Sequence, residues 1–286
     1  MKNLLLRLYK KLVKAFTGYG FIKIYPIRVI HSFINSILVP KYVMVDGHKM
    51  YLDKEDSLNI STGENYKPLE TKVLYDEIKE GNVVLDIGAN IGDDTLTLAR
   101  IVGEKGKVYA FEPDPENFRL LKKNVNVNKY RNVVLVDSAV SNVNGKLKLY
   151  LSENNKADHR IYESNEARKY VEVGSISLDT YFRNKKIKID VVKIDIQDAE
   201  MKAFEGMTGL LKKNNYPKIL TEFWPIGLKR CGSTSVNFLK FIRGMKYSIY
   251  FLDEKRNLTK KVSDKYLLQM FTEENEKFAN LVCVKD

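Results

Sequence analysis

Residues 82–100, reading N-V-V-L-D-I-G-A-N-I-G-D-D-T-L-T-L-A-R, constrain the fold more than any other part of the chain. Val83, Val84, Leu85 and Ile87 make a short apolar run suited to a strand buried on both faces, and residues 95–100 read as a helix. Gly88 and Gly92 bound a tight turn between them, where the backbone can pass close to a ligand, and Asp86 stands at the strand end. Strand, glycine turn and helix in this order form the ligand-binding carboxyl edge of a parallel α/β sheet.

The spacing discriminates among nucleotide-type ligands. Counted from Gly88, a G-x-G-x-x-G dinucleotide fingerprint would need glycines where Asn90 and Asp93 stand, and Asp93 with Asp94 would repel a pyrophosphate at the helix start. S-adenosylmethionine carries no phosphate, and its ammonium and sulfonium groups tolerate nearby carboxylates. Glu112, ending the next apolar run (Val108 to Phe111), is placed to accept hydrogen bonds from both ribose hydroxyls. Asp93 and Asp94 also serve as ordinary complements to the helix dipole, a role that needs no ligand.

A chain of 286 residues with 44% hydrophobic content can bury one substantial core and a small appendage. Cys231 and Cys283 have neither disulfide-framework nor metal-ligand spacing, which points to a reducing, cytoplasmic compartment and to no zinc site. The net charge of +12 is uneven: residues 1–45 hold eight basic side chains and no acidic one. Within that segment Leu4, Leu5, Leu8, Leu12, Val13 and Phe16 recur at helical spacing among lysines, Gly18 and Gly20 interrupt, and a second apolar stretch covers residues 29–39. Two helices are expected. They fit either an interfacial anchor on the inner face of an anionic membrane or a pair packed on the domain or on a second copy of the chain.

Residues 41–65 read as an accessory hairpin and loop, with an Asp46-Gly47 turn. A helix is expected over residues 69–80, stopped by Gly81. After the central motif, strands at 107–111 and 133–136 flank a helix at 115–126. Strands at 146–151 and 170–174 break the alternation around a polar loop holding His159. A short helix at 177–183, a strand at 191–196, a helix at 199–212 and strands at 218–223, 248–252 and 281–284, with a helix at 236–245, complete a mostly parallel sheet.

Taken together, Y-K-P-L-E (66–70), V-V-L-D-I-G-A-N-I-G (83–92), F-E-P-D-P-E-N-F (111–118), A-V-S-N (139–142), S-L-D-T-Y (177–181), V-K-I-D-I-Q-D-A-E (192–200) and I-L-T-E (219–222) resemble the FkbM-type S-adenosylmethionine-dependent methyltransferases. The resemblance implies the Rossmann-like class I methyltransferase fold over residues 66–286: a seven-stranded, mostly parallel sheet with helices on both faces and its last strand antiparallel, preceded here by the helical extension 1–40. It also implies methyl transfer to a hydroxyl of a sugar, glycan or other natural-product acceptor. Carried over by position, Asp86, Gly88, Asn90 and Gly92 would hold the methionine part, Glu112 the ribose, and the turn of Asp137, Ser138 and Ala139 the adenine. Two features depart from the pattern. Many relatives read K-I-D-V-E-G-A-E where this chain has Gln197 and Asp198, and the basic segment has no counterpart.

Asp195 and Glu222 end neighbouring strands at the ligand edge, so either could relieve an acceptor hydroxyl of its proton, directly or by holding a divalent ion. Asp195 fits a cofactor ligand or helix cap equally well, and Glu222 a salt-bridged strand end. His159 suits a solvated loop better than a base. Phe223, Trp224 and Pro225 suit core or rim packing more than an acceptor platform. Beside a methyltransferase stand two other readings: a protein that keeps the cofactor fold without turnover and docks on a membrane-bound biosynthetic complex, and a nucleic-acid methyltransferase. The last is disfavoured because residues 195–198 read Asp-Ile-Gln-Asp and not the Asn/Asp-Pro-Pro-Tyr/Phe that grips a base nitrogen.

Overall fold

The computed structural model describes residues 2–16, 25–62, 68–152, 155–163 and 167–285, so Gly18, Gly20 and Tyr66 lie outside the described residues. Two helices come first, α1 (Lys2–Phe16) and α2 (Tyr25–Leu38). The hairpin of β1 (Tyr42–Val45) and β2 (His48–Tyr51) turns where expected, with Asp46 and Gly47 at φ 46° and 83°, the two left-handed positions a tight hairpin turn requires. Then follow α3 (Pro68–Glu77), β3 (Val83–Ile87), α4 (Asp93–Val102), β4 (Lys107–Phe111), α5 (Pro115–Val127), β5 (Val133–Val136), β6 (Ser138–Val140), β7 (Gly145–Tyr150) and β8 (Tyr170–Ile176). The last third comprises α6 (Leu178–Tyr181), β9 (Val191–Ile194), α7 (Glu200–Glu205), α8 (Thr208–Lys213), β10 (Lys218–Phe223), α9 (Pro225–Arg230), α10 (Ser235–Gly244), β11 (Tyr247–Asp253), β12 (Leu258–Lys261), α11 (Asp264–Met270) and β13 (Ala279–Lys285).

The main sheet runs β12-β11-β13-β10-β9-β3-β4-β5. Its β10-β9-β3-β4-β5 portion is parallel and β13 inserts antiparallel between β10 and β11, the Rossmann-like arrangement expected. An eighth strand, β12, extends the expected seven at the β11 edge; all its side chains are exposed, and Leu-Thr-Lys-Lys shows no apolar alternation to announce it. Both faces of the parallel strands are covered. Val84, Val108, Val191 and Leu220 face one apolar layer with Leu74 and Leu98, while Leu85, Phe111, Val192 and Ile219 face another with Phe204 and Phe238.

Two expectations are corrected. The single helix over 199–212 is two, α7 and α8: at the break the Gly206 carbonyl accepts from the Asp179 N–H at 2.9 Å, and the Asp179 carboxylate accepts from the Gly209 and Leu210 N–H groups at 3.0 and 2.6 Å. The turn expected at Asp137, Ser138 and Ala139 is largely strand, since β6 pairs in parallel with β8 and, through it, with β7 in a separate three-stranded sheet.

The hairpin is bonded to the domain by a helix. Asn124 accepts from the Tyr51 N–H at 2.7 Å and donates to the Tyr51 carbonyl at 3.0 Å, and Asn128 does the same to Lys49 at 2.9 and 2.8 Å. Four residues along a helix rise about 6 Å and two along a strand about 6.7 Å, so asparagines at i and i+4 meet alternate strand residues in register. Met50, Leu52 and Ile60 pack into one cluster with Ile91, Leu96 and Leu121. Replacing Asn124 by alanine leaves both Tyr51 backbone groups and the Ile91 carbonyl without that partner. It should cost about 2–4 kcal/mol and lower Tm by roughly 5–10 °C in calorimetry, whereas alanine at the exposed Asn126 should change stability by less than about 0.5 kcal/mol.

Candidate active site

The chain leaves β3 toward β4 and β5 on one side and returns to β9 and β10 on the other, so β3 and β9 are the neighbours between which strand order reverses. Their carboxyl ends define the crevice of a doubly wound sheet. They touch there. Gly88 has φ +84°, and a Cβ on it would stand 1.9 Å from the backbone oxygen of Asp195, whose N–H donates to the Ile87 carbonyl at 3.0 Å. Gly92, the N-cap of α4 at φ +100°, is needed for helix packing: its Cβ would meet Leu121 Cδ1 at 2.8 Å.

Beneath the turn lies a buried charge group. Asp86 and Lys193 are register partners on β3 and β9, and Lys193 Nζ lies 3.2 Å from Asp86 and 2.8 Å from Asp94 at the start of α4. The Thr95 hydroxyl donates to the other Asp86 oxygen at 2.6 Å. Asp86 is fully buried, and burial pushes its carboxyl above the usual carboxylate range against the opposing pull of Lys193. Asp86, expected at the cofactor, thus lies below the turn, held by Lys193 and Thr95.

A cleft opens above, lined by Gly88, Asn90, Glu112, Asn117, Ser138, Ala139, His159 and Asp195 among others. Of the residues expected at the cofactor, Gly88, Asn90, Glu112, Ser138 and Ala139 border it; Asp86, Gly92 and the exposed Asp137 do not. Glu112 ties two loops together, Oε2 accepting from the Asn90 N–H at 2.8 Å and Oε1 from the Asp114 N–H at 2.9 Å. Burial pushes its carboxyl up to about 7 despite those two donors. Beside it, Asn117 donates to the Lys156 carbonyl at 3.0 Å while its own Oδ1 is buried with no hydrogen-bond partner.

His159 is not the solvated loop residue expected. Its side chain is only 9% exposed, Nδ1 accepts from the Ser152 N–H at 3.0 Å, and Nε2 faces Asp114 at 3.8 Å. Burial lowers its pKa, and in the neutral ring Nδ1 is the acceptor engaged by Ser152, which puts the proton on Nε2 toward Asp114.

A second, smaller pocket adjoins the cleft between β9, β10 and β13. Glu70, Lys193, Thr221, Glu222 and Asn280 line it, and Asp195 lines both it and the cleft. Asp195 and Glu222 thus share one pocket wall. The turn after Asp195 is held by Glu200, whose Oε1 accepts from the Ile196 N–H at 3.2 Å and whose buried carboxyl is pushed up to about 8. Gln197 and Asp198 both take left-handed backbone, at φ 51° and 84°. At Asp198 the family pattern has the glycine that such a φ favours. The Asp198 carboxylate accepts from the Tyr162 hydroxyl through Oδ2, and its buried Oδ1 has no partner. It fits because residue 227 is glycine, where a Cβ would stand 1.7 Å from Oδ1.

The sequence pattern of the methyltransferase FkbM domain matches residues 86–248, more than half of the chain. The chain belongs to the FkbM methyltransferase family. Similar to it are the hexuronic acid methyltransferase AglP of Haloferax volcanii, 28% identical over 151 residues, and a probable cobalt-precorrin-6B C(15)-methyltransferase of Sulfolobus acidocaldarius, 40% identical over 67 residues. These alignments cover 51% and 23% of this chain, and the chain spans 58% and 35% of the respective relatives. Among solved structures, Aeropyrum pernix fibrillarin with bound S-adenosyl-L-methionine superposes with TM-score 0.43 at 12% identity, covering 76% of this chain and 74% of that one.

The cleft of this FkbM-family chain fits the family's cofactor, S-adenosylmethionine. The orphaned Asn117 Oδ1 is a buried acceptor in its wall, and both Glu112 oxygens retain lone pairs beyond those used by Asn90 and Asp114. Both suit the hydroxyl and amino donors of an adenosine. Among the described residues no three His, Cys, Asp or Glu side chains come together as a metal-holding group. Three residues of the site were missed in the sequence: Lys193, which looked like any lysine in a strand; Glu200, visible only as the end of the K-I-D-I-Q-D-A-E motif; and Asn117, which looked like a surface residue of an amphipathic helix.

Two outcomes follow for measurement. Should the cofactor's ribose hydroxyls donate to the ionised Glu112, whose carboxyl is pushed up to about 7, S-adenosylhomocysteine affinity should be flat above about pH 7.5 and weaken toward tenfold per unit below about 6.5. Calorimetry should show proton release on binding at the lower pH, and Glu112→Gln should abolish the dependence. Separately, Gly227→Ala should destabilise the native chain by more than about 2 kcal/mol, and denaturant unfolding should find at least about 1 kcal/mol of that recovered in an Asp198→Gly background.

Proposed function

We propose that the chain transfers the methyl group of S-adenosylmethionine to a hydroxyl oxygen of a sugar or sugar-containing acceptor. The observation that carries this reading is the position of Asp195, a single carboxylate bordering both the cofactor cleft and the adjoining smaller pocket. When bound, S-adenosylmethionine supplies a methyl group on a sulfonium, already activated toward a nucleophile. The residues therefore have to orient an acceptor oxygen and receive its proton. Asp195 is the receiving carboxylate, and the side-chain amide of Gln197, 3.3 Å from its Oδ1, aims it. Glu222 and Asn280, deeper in the adjoining pocket, are suited to the neighbouring hydroxyls of a sugar. The sugar class is further supported by similarity to the hexuronic acid methyltransferase of Haloferax volcanii.

Positioning supplies most of the rate in such a site, and general-base assistance typically about 10²- to 10⁴-fold. Asp195→Asn should lower turnover by a factor in that range, read as labelled methyl incorporation into a panel of uronic-acid and neutral glycans. Affinity for S-adenosylhomocysteine should stay within about threefold. Collapse of donor binding in this variant would make Asp195 a cofactor ligand and shift the base role to Glu222.

A further inference from the structure

The two N-terminal helices use one face on the domain and leave another uncovered. Inward, Leu6 and Asn35 are buried, Asn35 donates to Glu55 at 2.7 Å, and Lys10 pairs with Asp56 and donates to Asn59 at 3.0 Å. Outward, Leu5, Leu8 and Leu12 on α1 and Ile30, Phe33 and Ile37 on α2 are each 50–65% exposed. Both triplets have the spacing i, i+3, i+7, a narrow apolar stripe along each helix. Packing on the domain therefore accounts for the inner face and not for the stripes.

The helical segment itself is of one sign. Residues 1–45 hold eight basic and no acidic residues, and against the hairpin α5 presents exposed Arg119, Lys122 and Lys123 along a groove at Tyr51. Lys123 Nζ lies 3.3 Å above the Tyr51 ring, which brings these cations onto the hairpin. A second copy of the chain meeting this face would set like charges against like charges. At about 1.5 Å per residue α1 is roughly 22 Å long, and no helix among the described residues is long and apolar enough to cross a membrane.

We propose that the outer faces of α1 and α2 are a docking surface for an anionic lipid bilayer, with the stripes in the interfacial layer and the segment's basic charge, the exposed Lys11 included, attracted to the headgroup phosphates. The full chain should sediment with vesicles of roughly 7:3 phosphatidylcholine and phosphatidylglycerol, not with phosphatidylcholine alone, and dissociate as salt rises from about 0.1 to 0.5 M. The double substitution Leu12→Asp and Ile30→Asp should cut the partition coefficient at least about tenfold with an unchanged melting curve, because both side chains are mostly solvent-exposed. Lys11→Glu should weaken binding less and lower the salt concentration of half-release. Failure of the intact chain to bind the anionic vesicles, or binding that the double substitution leaves unchanged, would overturn the proposal. So would a dimer in solution that the double substitution dissociates, which would make the stripes a contact between copies.

Discussion

The site depends on one close approach, that of Gly88 at the end of β3 to the Asp195 carbonyl at the end of β9. Strand order reverses between these two strands, and without a side chain at 88 their ends stay in contact after the sheet has otherwise begun to diverge. That contact carries the backbone of Asp195 to the glycine turn, so one carboxylate borders the cleft on one side and the smaller pocket on the other. Glu112 does the corresponding work on the β4 side by binding the Asn90 and Asp114 amides.

Lys193 is the centre of the electrostatics under the turn. It pairs with Asp86 and Asp94, and Thr95 bonds the other Asp86 oxygen below the cleft floor. A charge group of this kind is costly to assemble and more costly to break, because removing Lys193 leaves the fully buried Asp86 carboxylate without its cation. It fixes the start of α4 against the sheet from below, leaving the polar atoms above the turn for a ligand.

Much of the architecture was legible because it follows from periodicity. The apolar runs at β3, β4, β5 and β10 lie where alternation between two buried faces requires, and Asp-Gly marked the hairpin turn. Elements set by contacts distant in sequence were not legible. The break between α7 and α8 is tied by hydrogen bonds to Asp179, about thirty positions away, and β12 is a polar strand held by its neighbour β11. The site divides the same way. Glycines and strand-end carboxylates could be placed from spacing, but that Asp86 and Gly92 support the turn while Asn117 faces the cleft depends on Lys193, Leu121 and the loop at Lys156. His159 was misjudged because burial by a loop leaves no mark in local composition.

The arrangement at Asp198 ties two distant positions together. The carboxylate occupies space that a Cβ at position 227 would fill, and position 198 is the one at which the family pattern carries glycine. With the carboxylate in this rotamer a side chain at 227 has no room, so the tolerance of each position for substitution depends on the other. The departure from the family pattern at 198 is thus accommodated by a residue nearly thirty positions downstream, in the helix that follows the next strand.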